Sequence, residues 1–184
     1  MPGPAQRTIG VAIAIPEPHG RELQSWREQF GDPEARKIPA HVTLLPPTVV
    51  SEDELPAIEE HLLAAAAASE PFTIHLRGTG TFRPASPVVF VTLAEGISAC
   101  ELLEAKVRSG PLGGRELEFA YHPHVTVAHD LPDAALDHAF DKLAAYDARF
   151  AVWGFSLYAH GVDGVWRPQR DFAFAGAFPH IPDE

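Results

Sequence analysis

Ile38-Pro39-Ala40-His41-Val42-Thr43-Leu44-Leu45 and Tyr121-His122-Pro123-His124-Val125-Thr126-Val127-Ala128 carry the same tripeptide in the same setting: an upstream proline, His-Val-Thr, then an apolar tail. Apolar and β-branched residues after a proline read as a short strand in each case. Side chains at i and i+2 of a strand share a face. His41 and Thr43 are therefore presented together, as are His124 and Thr126, while Val42 and Val125 turn the other way. With ten His and eight Thr in 184 residues, about 0.4 chance occurrences of His-x-Thr are expected. Two copies that also share the middle valine, the proline and the apolar tail point to a duplicated functional strand.

Outward from these strands the chain alternates helix and strand signals. Residues 8–15 are short, apolar and bounded by Pro16, as a buried strand should be. Leu23, Trp26, Arg27 and Phe30 then recur at helical spacing until Gly31-Asp32-Pro33 stops the run. The first motif strand is expected to end at Pro46-Pro47. Ser51-Glu52-Asp53-Glu54 has the form of a capping box opening a helix to about residue 69. Strands are predicted over 72–77 and 87–93 with a loop between them, and a helix over 98–108. The second motif strand follows. Asp130-Leu131-Pro132-Asp133 opens a last helix to about residue 146, and residues 149–160 and 165–174 read as two strands joined through Gly161-Val162-Asp163-Gly164. One His-x-Thr falls in each half of this repeating plan, about 80 residues apart, too short a spacing for two ordinary domains. The prediction is one α+β domain over residues 1–184. It consists of two pseudo-symmetric lobes with interleaved termini, each an antiparallel sheet with helices on its outer face, facing across a central cleft.

The length allows a core to form without disulfides, and the 46% hydrophobic and 21% charged shares are those of a globular protein. Cys100 is the only cysteine, which excludes an internal disulfide and a multi-cysteine zinc site. The apolar run after residue 7 is too short for a signal peptide, so a soluble cytoplasmic monomer is expected. A net charge of −11 argues against non-specific binding of long nucleic acid, which depends on Lys and Arg neutralising phosphates. A small phosphorylated substrate or an RNA end gripped locally remains compatible with it.

The two His-x-Thr motifs, one per half of a chain this long, resemble the 2H phosphoesterase superfamily, which includes the bacterial 2′-5′ RNA ligases and RNA 2′,3′-cyclic phosphodiesterases. Residues 7–16, the Gly80-Thr81-Phe82 loop and the strand over 87–93 are similar to other parts of that family's pattern. Two departures are visible. Leu44-Leu45-Pro46-Pro47 stands where the better-known RNA ligases tend to have a Phe-Leu-Gly-like turn. Ala128-His129 stands where they often carry an Arg. The resemblance implies opening of a 2′,3′-cyclic phosphate or related phosphodiester, with RNA ligation as a further activity, but the departures leave the substrate open. His129 would grip phosphate more weakly than an Arg, and in a pH-dependent way.

The residues suit that chemistry. One neutral imidazole takes a proton from water and one imidazolium protonates the leaving oxygen, so His41 and His124 are the candidate acid–base pair. Which of them is the acid is left open. Thr43 and Thr126 are candidate donors to the nonbridging phosphate oxygens. No cofactor and no metal are called for. A competing reading makes His122, His124 and His129 ligands of a hydrolytic metal. A third reading is a nucleotide or cyclic-phosphate binding module without turnover. Tyr121, Phe82 and Trp166 are candidates for stacking on a base.

Overall fold

The structure, a computed structural model, describes residues 3–176. In chain order its elements are β1 (Gln6–Ala14), α1 (His19–Gln29), β2 (His41–Ser51), α2 (Leu55–Ala67), β3 (Phe72–Thr81), β4 (Val88–Glu95), α3 (Ile97–Val107), β5 (His124–His129), α4 (Asp133–Lys142), β6 (Asp147–Val152), β7 (Gly154–His160) and β8 (Trp166–Ala173). The strands form two four-stranded sheets, ordered β2-β1-β7-β8 and β5-β4-β3-β6, and every pairing is antiparallel. This is an α+β fold of two lobes. α2 packs on β8 and α4 on β3 and β4, and one apolar cluster runs through both sheets, from Ile9 and Val42 to Val91 and Val125.

A strand–helix–strand plan occurs twice. β1-α1-β2 and β4-α3-β5 each lead through a helix to a motif strand that pairs antiparallel with the strand before it. The lobes are not the two linear halves of the chain, however. β3 and β4 pair with β6 and β5 in the second sheet, and one of the two inner strands of the first sheet is β7, from the far end of the sequence. Local pattern reports that a hairpin exists; which sheet receives it is set by long-range burial, which periodicity does not carry.

Several boundaries differ from the expectations. β2 does not end at Pro46-Pro47 but continues to Ser51. Prolines lack the donor for a ladder bond, but β2 is an outer strand and bulges there: Ile9 pairs with Thr48 and Val11 with Leu45, two steps along β1 against three along β2. The run over 149–160 is two strands in different sheets, broken at Trp153. Gly154 permits the break by lying against its neighbour, since a Cβ there would sit 2.2 Å from the Phe172 carbonyl oxygen. β3 extends through Thr81 into the expected loop. The capping box at Ser51 forms, with Glu54 closing back on the Ser51 amide, but it heads a short 3-10 turn from which α2 continues. α4 stops at Lys142. Among the described residues no helix is long and apolar enough to cross a membrane.

Candidate active site

Both motif strands are outer strands of their sheets, and they lie next to each other where the lobes meet. His41 and Thr43 pair with Ala14 and Ala12 of β1, and His124 and Thr126 with Thr92 and Phe90 of β4. The strand period does what the sequence implies. Val42 and Val125 are fully buried, while the His and Thr on either side are half-buried and face the cleft. His41, His124 and Thr126 line one cavity of about 460 Å3 together with Arg27 and His129. Thr43 lines a second cavity of about 510 Å3, which shares His124 with the first. The four motif residues thus sit around the junction of two cavities.

The two imidazoles are held in the same way. His41 Nδ1 lies 2.8 Å from the Pro39 carbonyl oxygen, and His124 Nδ1 lies 2.6 Å from that of His122. A carbonyl only accepts, so each Nδ1 carries a proton and donates it, which leaves each Nε2 uncommitted by that bond. Their electrostatic settings differ. Burial pushes the pKa of His41 from 6.5 down to about 4, opposed by the Pro39 carbonyl and reinforced by the positive charge of Arg27 and by His124. Burial also lowers that of His124, opposed by the His122 carbonyl.

Phe82 and Tyr121 line the second cavity, but each also has a structural partner. The Phe82 ring meets the His124 ring edge-on at 4.9 Å and lies 4.5 Å from Phe90. Phe90 can lie over β3 because Gly80 has no Cβ, which would fall 2.6 Å from its ring. The Tyr121 hydroxyl donates to the Thr43 carbonyl at 2.8 Å, tying the loop before β5 to the opposite motif strand. Trp166 borders a smaller recess with His41 and Thr43 and packs on His160. His129 lines the first cavity and its amide donates to Asp32.

The trio His122, His124 and His129 is not arranged as a ligand set. The His122 ring lies against Phe82 and Phe90. Among the described residues no group of three or more His, Cys, Asp or Glu is placed to hold a metal ion.

Arg27 and Asp32 are the site residues that sequence reasoning missed. Arg27 sits on the inward face of α1 with its side chain 9% exposed, and Asp32, fully buried, accepts from its Nε at 2.8 Å. The available signal was a charged residue within the apolar stripe of Leu23, Trp26 and Phe30.

Comparison with known proteins identifies the family and the fold. The family model described as the 2′-5′ RNA ligase superfamily matches residues 15–164. A Bacillus licheniformis protein named putative phosphoesterase is 34% identical over 150 residues, which cover 80% of this chain and 87% of that protein. A Geobacillus kaustophilus protein of the same name is 27% identical over 169 residues, covering 91% and 96%. Among solved structures, Escherichia coli LigT complexed with ATP superposes with a TM-score of 0.67 at 23% identity, covering 93% of this chain and 99% of LigT. LigT complexed with 3′-AMP gives a TM-score of 0.64 at 21% identity, covering 92% and 99%. Paired His-x-Thr strands at the seam of two antiparallel sheets, with a family match spanning most of the sequence, lead to one conclusion: the chain belongs to the 2′-5′ RNA ligase superfamily, among the 2H phosphoesterases.

Proposed function

We propose that this protein is a metal-independent phosphodiesterase that opens a 2′,3′-cyclic phosphate or a related phosphodiester by two-histidine acid–base catalysis. The observation that carries the reading is the twin arrangement of His41 and His124, each with Nδ1 committed to a carbonyl two residues back and both facing one cavity. His41 is the base: its depressed pKa and the nearby Arg27 keep it neutral. Its Nε2 takes a proton from water as the water oxygen attacks phosphorus. His124, as imidazolium, gives its Nε2 proton to the departing ribose oxygen, leaving a phosphomonoester. The Thr43 and Thr126 hydroxyls donate to the nonbridging oxygens as charge builds there. The second cavity, walled by Leu44, Phe82 and Tyr121, suits the nucleoside. LigT, solved with 3′-AMP, is a relative in fold that takes a ligand of this class.

The test is turnover of a panel of 2′,3′-cyclic nucleotides with and without a chelator. Activity is expected to survive exhaustive chelation; complete, metal-reversible loss would overturn the mechanism in favour of a metal-generated nucleophile. The pH profile is a sharper check. In free protein the base needs pH above its pKa of about 4 and the acid needs pH below one lowered from 6.5, so kcat/KM should peak on the acid side of neutrality. Bound phosphate, being negative, favours both imidazolium forms and moves the kcat optimum to higher pH. Coincident optima for the two parameters would contradict the assignment. Thr43→Ala and Thr126→Ala should each lower kcat by about 10–10³, the worth of a transition-state donor.

A further inference from the structure

We propose that Arg27 is the fixed cation of the site, its guanidinium binding the nonbridging oxygens of the phosphate held between His41 and His124, with Asp32 as its positioning residue. The identity of the bound group rests on the phosphoester reading above; the placement of the charge does not.

Among the described residues Arg27 is the only Lys or Arg lining the cavity that holds both imidazoles, whose wall also carries Asp32, Glu34 and Asp130. Without Arg27 that wall would repel an anion. Its surroundings show how it is kept available. Asp32 accepts three hydrogen bonds: Oδ1 from the Glu34 amide at 2.9 Å, and Oδ2 from Arg27 Nε at 2.8 Å and the His129 amide at 3.0 Å. A fully buried carboxylate held by two backbone amides, one from each lobe, cannot follow a moving side chain. It fixes the guanidinium through Nε alone. The two terminal amino groups have no protein partner among the described residues, although the side chain is only 9% exposed. They are not sealed from solvent, so they stay open to an acceptor that enters the cavity. A planar fork of N–H groups beside two imidazoles and a threonine matches a phosphate.

A purely structural role, stapling α1 to β5, is the competing account, and the two separate cleanly. The full-length protein is titrated with inorganic phosphate while the imidazole C–H signals of His41 and His124 are followed by NMR, in wild type, Arg27→Gln and Arg27→Lys. Wild type should bind phosphate. Arg27→Gln should weaken binding by about 10- to 100-fold, and Arg27→Lys, which keeps charge but lacks the fork, by about tenfold. The His41 titration in ligand-free Arg27→Gln should also move upward, because a neighbouring cation has been removed. Lysine is the fallback should glutamine prevent folding. Absence of phosphate binding in wild type, or unchanged phosphate affinity in a folded variant, overturns the proposal. If phosphate binding depends on Arg27 but no cyclic nucleotide is turned over, the catalytic reading fails and the Arg27 assignment stands. If turnover is found but phosphate affinity ignores Arg27, the reverse holds.

Discussion

His41→Ala and His124→Ala should each lower turnover of a 2′,3′-cyclic nucleotide by about 10²–10⁴, the usual worth of a general acid or base. The two changes should not multiply. Proton removal and proton donation belong to one displacement, so once either partner is lost the other has less to contribute, and the double variant should fall short of the product of the singles. The effect should lie in kcat more than in KM, since proton transfer to or from each imidazole takes place in the transition state and not in the ground state. Both side chains are only half-buried, at the starts of their strands, so melting curves should move little. That separates lost chemistry from lost fold. Unchanged turnover in either single variant would remove the two-histidine mechanism.

The second large effect is expected in stability. Asp32→Ala leaves the Arg27 charge buried without its partner and also strips the His129 amide of its acceptor. Breaking a buried pair from one side costs about 3–5 kcal/mol, and chemical denaturation should show it. Replacing both residues at once, as Arg27→Met with Asp32→Leu, should recover much of that loss, because the desolvation cost of two ions disappears along with their attraction. A stable double variant that no longer binds phosphate would show that the pair is kept for the cleft. A loss below about 1 kcal/mol in Asp32→Ala, the range of an exposed pair, would show that the pair is not as dry as its burial implies.

The motif strands were legible because their information is local: two residues of spacing decide which side chains share a face, and Val42 and Val125 fell into the core as the period requires. The Ser51 capping box and the Gly161–Gly164 turn were legible for the same reason, each being chemistry within four residues. The division of 149–160 was not. Residues on both sides of Trp153 are good strand formers, and only the approach of the Phe172 carbonyl to Gly154 shows that the chain changes sheets there. Arg27 was hidden by its own spacing, since a charge at a helical repeat position looks like part of an amphipathic pattern until the opposite wall is known. Asp32 looked like the residue that ends a helix. It does cap the following turn, by accepting from the Glu34 amide, but its second oxygen reaches across the seam, which no local rule reports.

The placement of β7 has a consequence for how the protein is made. The sheet carrying His124 draws all its strands from Phe72–Val152 and is complete as soon as that stretch has left the ribosome. The sheet carrying His41 is not. Ile9 must wait to pair with Ala159, so β1, with its run of buried side chains, spends most of synthesis with one flank bare. An unpaired apolar edge is the feature by which nascent chains stick to one another. In this topology the lobe begun first is finished last, its sheet completed only when the closing hairpin arrives.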